Sequence, residues 1–126
     1  MFDSIQDLED YIEAEFIHFG ISDWEFKWNK LSTVTLGQTF LFENRIELSL
    51  KFVIANFHDP KTIRNVILHE IAHALAFKHE RHTEHGEPWK RFCNITGAKP
   101  EQYQVIKTSA KRSKLVIQDD TYSLAY

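Results

Sequence analysis

Residues 69–89 read HEIAHALAFKHERHTEHGEPW. The first five, His69-Glu70-Ile71-Ala72-His73, set two histidines four positions apart. On a helix that spacing brings both imidazoles to one face, one turn apart, where they can reach a single zinc ion. Glu70 lies beside the pair without being required as a ligand. It is the expected catalytic acid/base, taking a proton from a water that the metal acidifies and passing it to the leaving amine. Ile71, Ala72, Ala74 and Leu75 surround the motif with apolar side chains, which predicts a buried helix. Two buried histidines need a partner. A pair of core histidines bonded to the backbone is the plainer alternative, and the mechanics of the motif favour the metal.

Such a site needs a third protein ligand, and His79, His82 and His85 all follow. His79 stands at the HExxHxxxxxH spacing of the metzincins. That pattern has a helix-breaking Gly where this chain has Ala76, and Ala continues a helix. No methionine follows the motif either, since the single Met is Met1. His85 opens His85-Gly86-Glu87-Pro88-Trp89, where Gly86 frees the backbone, Pro88 starts a helix and Trp89 anchors its first turn. The metal set expected is therefore His69, His73 and His85, with His79 as the alternative third ligand. His79 and His82 otherwise read as solvated loop histidines.

Around this stretch the elements can be read from their stop and start signals. Asp59-Pro60 is an N-cap and first-turn pair that predicts a helix over 60–78. A polar loop over 79–86 and a helix over 87–96, stopped by Gly97, follow. Upstream, Ser4 caps an amphipathic helix over 4–18, with Asp7 in capping-box position. Trp24, Phe26 and Trp28 alternate with Glu25 and Lys27, as in a half-buried strand whose aromatics belong to the core. Further strands are predicted over 32–42, with Gly37 marking a turn or bulge, and over 45–50, with a short helix over 49–57. Beyond Ala98 the signal weakens to one short strand over 114–118.

The composition sets wider bounds. A chain of 126 residues with 43% hydrophobic and 26% charged residues fits one globular domain. One cysteine, Cys93, excludes an internal disulfide and a Cys-based zinc ribbon, and reads as a packing residue. The N-terminus is acidic, with no basic n-region, and no apolar run reaches membrane-spanning length, so no membrane partner is expected. The expected location is cytoplasmic or nucleoid-associated, not secreted. A net charge of −3 gives no general pull toward nucleic acid, but Lys107, Lys111, Arg112 and Lys114 form a local basic run. Of seven histidines, five fall between His69 and His85, which concentrates the chemistry there.

HEIAH followed by a short polar loop and HGEPW resembles the SprT-like domain, the metalloprotease module of Spartan-type proteins. The Leu36-Gly37 region and Arg45-Ile-Glu-Leu-Ser49 are similar to the strand region that precedes the active-site helix in that family. The resemblance covers residues 2–97. It implies His69, His73 and His85 as zinc ligands, Glu70 as the catalytic acid/base, and protease activity on proteins bound or crosslinked to DNA. The fold class expected is α+β: a small zincin-like domain over residues 1–98. Its elements are an N-terminal helix, a three-stranded antiparallel-type sheet, the HExxH helix and a following helix. Residues 99–126 are read as a locally basic extension without a zinc ribbon, whose basic residues suit DNA.

Two other functions compete. A three-histidine metal-dependent nuclease lacks the Glu after the first His, so Glu70 argues against it. A non-catalytic, zinc-stabilised DNA-binding or adaptor module would close the metal with a fourth protein ligand, His79 or His82.

Overall fold

The structure, a computed structural model, describes residues 2–32, 35–101, 103–107 and 113–117. The first helix, α1, spans Ile5–His18. Ser4 Oγ accepts from the Asp7 amide at 3.1 Å, while the Asp7 carboxylate turns back to the Asp3 amide at 3.1 Å. Leu8, Ile12 and Phe16 are its buried stripe, and Gly20, at φ +76°, reverses the chain in a conformation that suits a residue without Cβ.

Strands β1 (Glu25–Asn29), β2 (Gly37–Phe40) and β3 (Arg45–Ser49) form a sheet in the order β1-β3-β2. β2 and β3 are antiparallel, but β1 and β3 are parallel. The sheet is therefore mixed, which corrects the antiparallel-type expectation. Alternation of apolar residues reports which face is buried and is blind to strand direction. The chain from Lys30 to Asn44 exceeds the dozen or so residues that a parallel crossover needs. β2, joined to β3 by the 3-10 turn Leu41–Glu43 and a left-handed Asn44, occupies one edge of β3 and leaves the other to β1.

Register assigns the two faces. Phe26 and Trp28 align with Ile46 and Leu48, and these in turn with Thr39 and Gly37. That face meets the helices. The opposite face carries Glu25, Lys27, Gln38, Arg45 and Glu47, with Arg45 bonded to Glu47 at 2.9 Å and lying over the Phe40 ring. Trp28 Nε1 donates to Glu9 Oε2 at 2.8 Å, tying β1 to α1.

A short helix, α2 (Leu50–Ala55), leads to α3 (Pro60–Glu80), which runs through the core with every residue from His69 to Phe77 buried. Asp59 caps α3 and Pro60 opens it, as the sequence predicts. Its far end runs past the expected stop: His79 and Glu80 are helical, and the chain turns only at Arg81, at φ +53°. The stop is carried by an Arg in a conformation usually left to Gly or Asn, so no sequence signal marks it.

The fourth helix, α4, spans Glu87–Thr96 and lies antiparallel on α3. Arg91 pairs with Glu80 through contacts of 2.6 and 2.7 Å at one end. At the other, Thr96 Oγ1 donates to the Leu68 carbonyl at 3.1 Å and the Lys99 amide to Asn65 Oδ1 at 2.9 Å. Between these ties, Ala72 and Ala76 of α3 pack with Trp89 and the buried Cys93 of α4. A hairpin of β4 (Tyr103–Lys107) and β5 (Ser113–Ile117) follows, of which only the second strand was expected. Lys107 and Lys114 fall on its two strands, while Lys111 and Arg112 lie outside the described residues. No helix among the described residues is long and apolar enough to cross a membrane.

Candidate metal centre

α3 delivers His69, Glu70 and His73 in one turn, and the 81–86 loop with the start of α4 delivers His85. All four side chains are buried. One ring nitrogen from each of His69, His73 and His85 lies within 4.8 Å of the other two. His73 Nε2 and His85 Nε2 are 3.0 Å apart. Ligands at ordinary Zn–N distances around one tetrahedral ion sit about 3.3 Å from each other, so this donor set fits a single small cation with little rearrangement. Imidazole nitrogens suit zinc among several first-row metals.

Trp89, only 1% exposed, is the wall behind all three rings. It stacks on His73 at 5.3 Å and 18°, and meets His69 and His85 edge-on at 4.8 and 4.6 Å. The sequence suggests Trp89 only as a helix anchor. Its spacing from His85, one helical turn, is the signal that it also reaches the histidines.

Glu70 lies against the sheet. Its Oε1 accepts from Thr39 Oγ1 at 2.6 Å, and its Oε2 is 3.9 Å from His69 Nε2. Gly37 explains how the side chain fits: a Cβ there would come within 3.1 Å of Glu70 Cγ and of Leu48 Cδ2. Gly37 is therefore neither turn nor bulge but a strand position where β2 passes close to the Glu70 side chain of α3. Neither Thr39 nor this use of Gly37 was foreseen. The available signal was a hydroxyl at an inward position, alternating with Gln38 and Phe40.

The other two histidines stand outside the cluster. His79 is exposed on α3, stacked on Phe92 at 5.6 Å and 13°. His82 is half-buried, and its Nε2 accepts from the Gly86 amide at 3.1 Å. It is a brace for the loop that carries His85, not the solvated residue expected from sequence. Gly86 itself has φ −82°, which any residue adopts. Its lack of a side chain serves space instead, since a Cβ would come within 3.0 Å of the His82 ring.

Together these neighbours build a buried three-nitrogen site with a carboxylate beside it. No curated protein and no solved structure matches the chain. The SprT-like family model matches residues 4–110, which contain every residue of this site. That match spans most of the 126 residues, and the protein belongs to the SprT-like family.

Proposed function

We propose that this protein is a zinc-dependent endopeptidase, with His69, His73 and His85 holding the metal and Glu70 as the catalytic acid/base. The observation that carries the reading is the buried convergence of three imidazole nitrogens beside a carboxylate held by its own hydrogen bond. Three protein ligands are the number found in catalytic zinc sites, where a fourth position is left open. Bound there, zinc supplies a Lewis acid for the scissile carbonyl and a water that ionises near neutral pH. Glu70 receives the proton of the attacking water and returns it to the departing amine. His79 and His82, engaged with Phe92 and Gly86, are not drawn into the cluster as a fourth ligand, which weighs against a purely structural zinc.

β2 offers the route for substrate. It is an outer strand of the sheet, it contacts Glu70 through Gly37 and Thr39, and its outer edge pairs with no further strand among the described residues. An extended peptide added along that edge would lie beside the carboxylate. We extend the proposal to proteins bound or crosslinked to DNA, the substrates that the family resemblance implies. The basic run at Lys107, Lys111, Arg112 and Lys114, two of whose members fall on the β4–β5 hairpin, supports a phosphate contact.

The test is cleavage of fluorescein-labelled casein by the zinc-loaded wild type and Glu70→Gln, with and without single-stranded DNA. Glu70→Gln is expected to keep its zinc and lose about 10²- to 10⁴-fold in rate. Cleavage by Glu70→Gln at the wild-type rate would show the hydrolytic mechanism to be wrong. DNA that leaves the wild-type rate unchanged would remove the nucleic-acid part of the proposal alone.

A further inference from the structure

Thr39 occupies the core face of β2, opposite Ile46 and fully buried. A hydroxyl in apolar surroundings is costly unless it is bonded. Two acceptors lie in reach, Glu70 Oε1 at 2.6 Å and the Glu70 carbonyl oxygen at 3.2 Å. The hydroxyl has one proton. The shorter contact falls in the range of a charge-assisted O–H···O⁻ bond, and a carboxylate is the stronger acceptor. With Oε1 gripped from the sheet side, Oε2 is the oxygen nearest His69 Nε2, at 3.9 Å. Two residues back on the same face, Gly37 leaves room for the Glu70 stem, where a Cβ would meet Cγ at 3.1 Å.

A glutamate side chain has three rotatable torsions, and holding it in one rotamer costs conformational entropy. A tether that meets this cost in the folded state has the carboxylate already oriented when substrate arrives. We infer that Thr39 is a positioning residue for Glu70: its hydroxyl holds Oε1 so that Oε2 is turned toward the space bounded by the three histidines. This role rests on the reading of Glu70 as the catalytic acid/base. Thr39 acts through Glu70, and strand β2 sets the base as well as flanking it.

The experiment compares zinc-loaded wild type, Thr39→Val, Thr39→Ser and Glu70→Gln on fluorescein-labelled casein, with zinc content measured for each. Thr39→Val is expected to lose about 10- to 100-fold in kcat, the usual effect of removing a residue that orients a metal-site group. Its KM should stay within about twofold, because only the chemical step is affected. Its zinc content should equal that of wild type, and Thr39→Ser, which keeps the hydroxyl, should recover most of the rate. In the metal-free protein, the shifts in urea midpoint of Thr39→Val and Glu70→Ala should be non-additive in the double variant, as expected for residues in contact. Should Thr39→Val fail to fold, Thr39→Ala replaces it in the same comparisons. A hydroxyl-free variant with wild-type kcat, a Ser variant as slow as the Val variant, or additive midpoints would each overturn the role. If Glu70→Gln is inactive while Thr39→Val is unimpaired, only the positioning role falls. If Glu70→Gln is fully active, the hydrolytic reading falls and takes this role with it.

Discussion

Replacing His85 by Ala removes one of three nitrogens that lie within 4.8 Å of each other and leaves the helix that carries the other two intact. Metal affinity should report the difference. Structural zinc sites with four protein ligands bind with about 10–16 kcal/mol, so one ligand is worth roughly 3–4 kcal/mol, or about 10²- to 10³-fold in Kd. The fold should report much less. His85 belongs to the connection between two helices, and α3 and α4 remain tied by the Glu80–Arg91, Leu68–Thr96 and Asn65–Lys99 contacts. The metal-free stability of His85→Ala should therefore change by about 1 kcal/mol, the typical effect of a single substitution. Competition against a chromophoric chelator gives the affinity. Thermal unfolding with and without zinc gives a second reading, since a ligand at 100 times its Kd stabilises by about 2.7 kcal/mol. Zinc should raise the melting temperature of wild type and of His79→Ala alike, and should fail to raise that of His85→Ala at the same concentration. An unchanged Kd for His85→Ala, or a loss in His79→Ala as large as that in His85→Ala, would refute the assignment.

Three further outcomes are expected. Trp89→Ala should cost about 3–5 kcal/mol by urea unfolding and weaken zinc binding as well, because the side chain that fills the core also backs all three rings. Trp89→Phe should lose much less, since the buried indole N–H has no acceptor among the described residues that Phe would forfeit. Gly86→Ala should leave the backbone unstrained but displace the His82 ring, loosening the loop and weakening zinc binding by a measurable factor that His82→Ala reproduces. The Asp59 carboxyl is held below the usual carboxylate range by the Thr62 hydroxyl, which donates to it at 2.7 Å. A carboxyl with a depressed folded-state pKa stabilises above its unfolded pKa, and that stability fades as pH falls through the folded value. Asp59→Ala should therefore cost about 1 kcal/mol at neutral pH, as loss of an N-cap, and less near about pH 3, measured by urea unfolding at both.

Features with local chemical causes were legible in the sequence. Ser4 and Asp59 mark helix starts because each side chain accepts a backbone N–H within one turn, Pro60 and Pro88 because a fixed φ and a missing N–H suit the first turn, and Gly97 marks a stop by its left-handed φ of +93°. The convergence of His69, His73 and His85 was legible for the same reason, since one helix and the short connection after it supply all three. What stayed hidden depends on partners far along the chain. The parallel pairing of β1 with β3 follows from which edge β2 takes, and no residue in β1 encodes that. Thr39 looks like an ordinary strand residue until Glu70 is set against it. His82 looks solvated until the loop folds and presents the Gly86 amide. The end of α3 was misread because Arg81 takes a conformation its side chain does not advertise.

The separation between Thr39 and Glu70, 31 positions, has a bearing on which parts of the fold the site depends on. The three metal ligands need only the α3–α4 hairpin, a local structure of the kind that forms early and fast. The tether on Glu70 needs the sheet to have closed over that hairpin. On the proposed reading, a local helix pair brings the histidines together, while the carboxylate beside them is oriented only where the sheet has docked, so the site depends on both short-range and long-range parts of the fold.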